Sequence, residues 1–186
     1  QVFPETLDFF GSAESTGFSR QPQIRYTHDN WSVALENPET QFNVSPGTST
    51  TAPGMALTDE EEYPELTGDF SLPTRFGHLS VGGVLRRVSN AGVTINGIAP
   101  KNDSNIGYGV RLSGSVSLGD SGDEIGFSGI YGDGLGRYVG LGAVPAGYAR
   151  ADGKVETVKL YASYAYLKHY WSEKWRSNLV LGTLQV

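Results

Sequence analysis

The chain has no cysteine among its 186 residues, which excludes a disulfide framework and any thiolate metal site. Charge is sparse as well. Charged residues make up 18%, and 14 basic against 20 acidic side chains leave a net charge of −6, which speaks against a nucleic-acid surface. The three histidines, His28, His78 and His169, stand far apart with no clustered carboxylates, so neither a metal site nor a catalytic triad is indicated. No nucleophile–base pair or paired carboxylates stand out, and an enzyme with a cofactor is not expected. No stretch approaches the ~18 consecutive apolar residues of a membrane helix, and the mean hydropathy is −0.28. Neither fact bears on a membrane β-barrel, whose strands are half polar and whose loops are long. The opening QVFPETLDFFG lacks the basic start and apolar stretch of a signal peptide. The final SNLVLGTLQV stops inside what reads as a strand, so both ends read as cut from a longer chain.

What is abundant points to strands. Glycine (25) is about twice its usual share, and tyrosine (10), phenylalanine (8) and tryptophan (3) are β-favouring residues. Period-two alternation predicts eight strands, over about 18–27, 31–37, 63–73, 78–88, 106–118, 124–132, 156–170 and 175–185. The segment 63–73 carries the weakest pattern. The connections HDN, TRFG, GDSGD and WSEK are short, whereas 38–62, 89–105 and 133–155 are long, and the two kinds alternate strictly. Outer-membrane barrels have short turns at one end and long loops at the other, with strands of ~9–11 residues. The fold class read from this pattern is an all-β, antiparallel up-and-down transmembrane barrel.

Each strand divides into two faces. In RQPQIRYTHDN, Gln21, Gln23 and Arg25 oppose Pro22, Ile24 and Tyr26; in NIGYGVRLSGSVSL, Ile106, Tyr108, Val110 and Leu112 oppose Arg111 and the serines. In TVKLYASYAYLKHYW the pattern is mixed. Val158, Leu160, Ala162, Tyr164 and Tyr166 are read as the apolar face, with Tyr161 and Leu167 opposite. The polar face then collects Arg25, Arg86, Arg111, Lys159 and Arg176 against few acids, chiefly Glu36 and Glu124. A ring of guanidinium groups selects anions. Tyr26, Trp31, Tyr170, Trp171 and Trp175 lie beside short turns, as a membrane-interface girdle would. The acidic run DEEEYPE reads as a solvated loop. The glycines of GDGLGRYVGLG, with no helix after them, are read as letting a long loop fold back on itself.

FPETLDFFG, RQPQIRYT, ALENPE, FGHLSVGGVLRR, YGVRLSGSVSLG, YGDGLGRYVGL and HYWSEKWRSNL, in that order, resemble the DcaP-like trimeric porins of Gram-negative outer membranes. The resemblance spans nearly the whole chain. It implies a sixteen-stranded barrel, of which these eight strands are about half. It also implies a homotrimer integral to the outer membrane, contact with lipid and lipopolysaccharide, and passive uptake of small anionic solutes such as dicarboxylates. The chain is then a single porin-type domain over residues 1–186, without the family's N-terminal coiled coil and flanking strands. By the same resemblance, Arg20, Arg25, Arg86, Arg87 and Arg111 match the family's basic positions. FPETLDFFG is placed on the long-loop side, where it can narrow the pore. Two alternatives stay open: a closed, non-conducting eight-stranded membrane barrel acting as an anchor or adhesin, and a soluble ligand-binding β-barrel whose apolar face is internal. In a regular strand Arg20 and Arg25 fall on opposite faces. A bulge or break at Pro22, with Arg25 on the polar face, is therefore expected.

Overall fold

The computed structural model describes residues 21–44, 55–58, 63–90, 102–119, 121–140, 144–150 and 153–186. Their architecture is all-β. The first pair, β1 (Gln23–His28) and β2 (Trp31–Glu36), is followed by β3 (Thr40–Val44) and β4 (Met55–Thr58). Four long strands come next: β5 (Glu65–Thr74), β6 (Gly77–Ser89), β7 (Ser104–Leu118) and β8 (Asp123–Asp133). A 3-10 turn (Gly136–Tyr138) then leads to β9 (Gly147–Ala149) and β10 (Val155–Thr157), and β11 (Lys159–Ser172) and β12 (Trp175–Gln185) follow.

Eight strands form one antiparallel sheet in the order β1-β2-β5-β6-β7-β8-β11-β12. Sequence order is kept across the sheet, as the alternating pattern predicts, with β3–β4 and β9–β10 lying between paired strands. The sheet is open, with β1 and β12 as its edges and no pairing between them. Among the described residues the expected antiparallel up-and-down order is present as an open meander, and the alternative of a closed eight-stranded barrel is not. β1 begins directly after Pro22, which has no N–H to give to a ladder. Its carbonyl still accepts the Asn37 N–H at 2.9 Å, and the register runs without a bulge from Gln23↔Glu36 to His28↔Trp31. The strand thus starts later than the predicted 18–27, and Arg20 lies outside the described residues.

All the short turns stand at one end of the sheet. His28–Trp31 turns through Asp29, whose φ of 48° is the conformation that a small polar residue tolerates. The β7–β8 turn uses Gly119 (φ 67°) and Gly122 (φ 84°), where a side chain would be strained. The long connections stand at the other end, and two of them are more ordered than their composition suggests. They form a second, four-stranded sheet, β10-β9-β3-β4, in which β3 and β9 pair in parallel, Phe42 opposite Gly147.

The two faces of the large sheet differ in what covers them. One is open and carries large apolar side chains: Ile24 is 80% exposed, Leu181 69%, Ile106 67% and Val110 57%. The other is covered at its long-loop end by the segment after β8. There Leu135, Val139 and Val144 pack on Ile130, Leu160 and Ala162 to make the main buried cluster. This packing corrects the reading of β11. Leu160, Ala162, Tyr164 and Tyr166 point to the covered face and are buried, whereas Tyr161 and Leu167 stand on the open face. The strand is apolar where the loop lies on it, so apolarity alone assigned its faces the wrong way round.

Candidate functional site

The covered face is built from the odd positions of β1, β5 and β7 and the even positions of β2, β6 and β8. In register these bring Arg25 beside Ala34, Thr27 beside Ser32 beside Asp69, and Asp69 beside Gly82 beside Arg111. A pocket of about 380 Å³ lies on this face, lined by Gln23, Arg25, Glu36, Asp69, Arg111 and Tyr138 among others. That volume falls in the range of small-molecule sites.

The wall of the pocket toward the long loops is a buried ionic clamp. The Glu65 carboxylate is fully buried, paired with Arg86 at 2.8 Å and with Arg137 at 2.9 Å. Arg86 also donates to the carbonyls of Glu39 (2.6 Å) and Leu135 (3.0 Å), and Arg137 donates to that of Asn37 (2.6 Å). Glu39 adds a second carboxylate to Arg137 at 3.4 Å. The Tyr138 hydroxyl stands between Glu65 and Glu36, the latter at 2.8 Å, and its one proton is shared between these two carboxylates. Gln21 reaches the same place, donating to Glu36 and to Tyr138. Burial, reinforced by the charge of Glu65, holds the Tyr138 phenol well above the ordinary tyrosine range, so it stays a donor. Both guanidinium groups also lie over the Tyr138 ring, 5.5 and 5.6 Å from its centroid. Leu135 anchors the loop hydrophobically: glycines at 109 and 132 leave the notch its side chain fills, since a Cβ at either would come within 3 Å of it.

The middle of the pocket holds a second, partly exposed group. Arg111 donates to Asp69 and, at 3.3 Å, to Ser80, while the Ser80 hydroxyl donates to Asp69 at 2.9 Å. The glycine at 82 leaves room for this pair, because a Cβ there would stand 3.1 Å from the Asp69 carboxylate and 3.2 Å from the guanidinium. Arg25 has hydroxyl partners, Thr27 at 3.2 Å and Ser32 at 3.0 Å. Among the described residues it has no carboxylate within ion-pair distance.

The predicted residues therefore separate. Gln23, Arg25 and Arg111 line the pocket, and Gln21 sits at its wall on Glu36 and Tyr138. Arg86 faces the same side but is 3% exposed and bound by Glu65, so it is a structural cation rather than a lining one. Arg87 follows it in sequence and so lies on the open face, its guanidinium 5.2 Å from the Tyr63 ring. Lys159 is also corrected to the open face, beside Asp133, because β11 has the opposite parity to that expected. Arg176 is on the covered face but at the short-turn end, donating to the Tyr170 hydroxyl at 3.4 Å. Of the girdle residues, Tyr26, Trp31, Trp171 and Trp175 are exposed at the short-turn end, the last two by 71% and 74%. Tyr170 instead takes the covered face, opposite Arg176 in the register.

Sequence reasoning missed Glu65, Asp69, Arg137 and Tyr138. The first two alternate with Leu66, Gly68 and Phe70 in the segment with the weakest strand pattern, and that alternation was their signal. Arg137 and Tyr138 sit in a glycine-rich loop, where no periodicity marks a side chain. Their discovery corrects the expected basic lining: Arg25, Arg86, Arg111 and Arg137 are balanced by Glu36, Glu39, Glu65 and Asp69. Comparison of the chain with protein-family models, curated proteins and solved structures finds no match.

Proposed function

We propose that this chain forms part of the wall of an outer-membrane porin that passes small, preferentially anionic solutes. In this reading its eight strands contribute to a sixteen-stranded barrel of the kind the DcaP-like resemblance implies, assembled as a homotrimer in a Gram-negative outer membrane. The observation that carries the reading is the open face. It presents Ile24, Val110, Leu112, Leu179 and Leu181 to the surroundings along strands of up to 15 residues. A soluble monomer rarely exposes a contiguous apolar patch beyond a few hundred Å². Each such side chain moved from water into hydrocarbon contributes ~1.5–3 kcal/mol. The exposed Trp171 and Trp175 at the short-turn end suit the headgroup level. On the opposite face, Arg25 and Arg111 supply donors for carboxylates beside an inward-folded loop.

The alternatives fit less well. A soluble ligand-binding barrel needs the Ile106-to-Leu118 face inside, and it is the exposed one. A closed eight-stranded barrel needs β1 joined to β12, and these are the two edges. The test is reconstitution of the full chain into planar bilayers with a salt gradient. Discrete conductance steps with a reversal potential displaced toward the anion are expected. A protein that stays soluble without detergent and gives no conductance would refute the reading.

A further inference from the structure

We infer that Asp69 sets the selectivity of the pocket by occupying, with the chain's own carboxylate, the place between Arg25 and Arg111 that a permeant oxyanion takes. The inference rests on the porin reading and deepens it. Arg111 donates from one terminal nitrogen to Asp69 and to Ser80, so that nitrogen already holds a carboxylate and a hydroxyl, the partners an oxyanion would replace. On the other side, Arg25 donates to Ser32 at 3.0 Å, and Ser32 is the register partner of Asp69 on the adjoining strand. The row across the sheet is therefore Thr27, Ser32, Asp69, Gly82, Arg111, and the Arg25 guanidinium reaches Ser32 from the adjoining row. The glycine at 82 leaves the room that the Asp69 carboxylate and the Arg111 guanidinium fill. Asp69 and Arg111 are partly exposed, 32% and 19% of their side chains, so solvent or a solute reaches both.

The physical role follows from what conduction requires. A channel site must attract its ion yet release it, and two unopposed guanidinium groups facing one pocket would hold an oxyanion too long. Asp69 cancels one of them. The solute then meets Arg25, which among the described residues has no carboxylate beside it, and exchanges with the Asp69 carboxylate at Arg111. Asp69 is a specificity-determining residue in this scheme, not merely a support for Arg111.

Asp69→Asn separates these roles, because asparagine keeps an oxygen for Arg111 and Ser80 while removing the charge. The measurements are reversal potential in a potassium chloride gradient, and calorimetric binding of inorganic sulfate to the detergent-solubilised full chain. For Asp69→Asn, anion preference and sulfate affinity are both expected to rise about threefold, the scale of a partly exposed charge pair. Arg111→Gln should lower both, and the double variant should return close to the original chain. If Asp69 only held Arg111 in place, Asp69→Asn would lower sulfate affinity; that result, or no change, overturns the inference. Absence of conductance in every variant counts against the porin reading, and the calorimetry then decides on Asp69 alone. Failure of sulfate to bind even the Asp69→Asn chain overturns the inference.

Discussion

Replacing Glu65 by glutamine should detach the loop that follows β8 without unfolding the sheet. The Glu65 and Arg86 side chains are both fully buried and 2.8 Å apart, and Arg137 shares the second carboxylate oxygen at 2.9 Å. Glutamine keeps the shape but leaves Arg86 buried with no carboxylate. Removing one partner of a buried pair costs ~3–5 kcal/mol. The Glu39 and Leu135 carbonyls still accept from Arg86, and Glu39 still pairs with Arg137, so the lower end applies, about 3 kcal/mol. At ~1.4 kcal/mol per decade that is roughly a hundredfold in the local opening equilibrium. Hydrogen exchange reads it directly through the N–H groups of Gly134, Tyr138 and Val139, bonded to Val158, Leu135 and Gly136. Their protection should fall about a hundredfold, while the β6–β7 ladder amides stay protected. Adding Arg86→Met should recover most of the loss, since an apolar replacement removes the stranded charge. Unchanged protection at those three amides would refute the clamp. Equal loss along every strand would refute the loop as a separate unit.

The glycines under the loop should differ in tolerance. A Cβ at 132 would lie 2.3 Å from the Tyr108 carbonyl oxygen, which is backbone, whereas at 109 its nearest contact is the flexible end of Leu135. Gly132→Ala is therefore expected to lower the unfolding midpoint more than Gly109→Ala; the reverse order would contradict the packing described. Tyr138 gives a pH dependence at the alkaline end. Its phenol is protonated in the folded chain well above the ordinary value of 10.0. The stabilisation it contributes is complete below that value and is lost as pH rises beyond it, because the unfolded chain then releases a proton that the folded chain keeps. Loop protection should decline above about pH 10 in the original chain and change less in Tyr138→Phe, followed by hydrogen exchange with ultraviolet difference titration.

The long strands were legible because each exposes one apolar face and keeps serine, glycine or charge on the other, as Ile106–Leu118 does most plainly. The short and long connections were legible from turn residues alone. The small sheet was not, because its strands span as few as 3 residues and pair β3 with β9, segments about a hundred positions apart. β11 misled for a physical reason: where Leu135 and Val139 cover it, the covered face is apolar too. At the site, Arg25 and Arg111 were legible from parity, whereas Arg86 was right in direction and wrong in role. Its burial depends on Glu65 and Arg137, which arrive from separate segments. Charge balance could not be read from cations alone, since Arg86, Arg111 and Arg137 each have an acid beside them.

The central claim, that one face meets lipid and the other water, is tested most directly by single cysteines in this cysteine-free chain. Placed in turn at positions 106 to 113 of β7 and spin-labelled in reconstituted vesicles, they report collisions with membrane-dissolved oxygen and with an aqueous nickel chelate. The account predicts strict alternation, with oxygen favoured at 106, 108, 110 and 112 and nickel favoured at 111 and 113. Labels that meet the nickel chelate equally at every position, with no oxygen preference on the Ile106–Leu112 face, would contradict it.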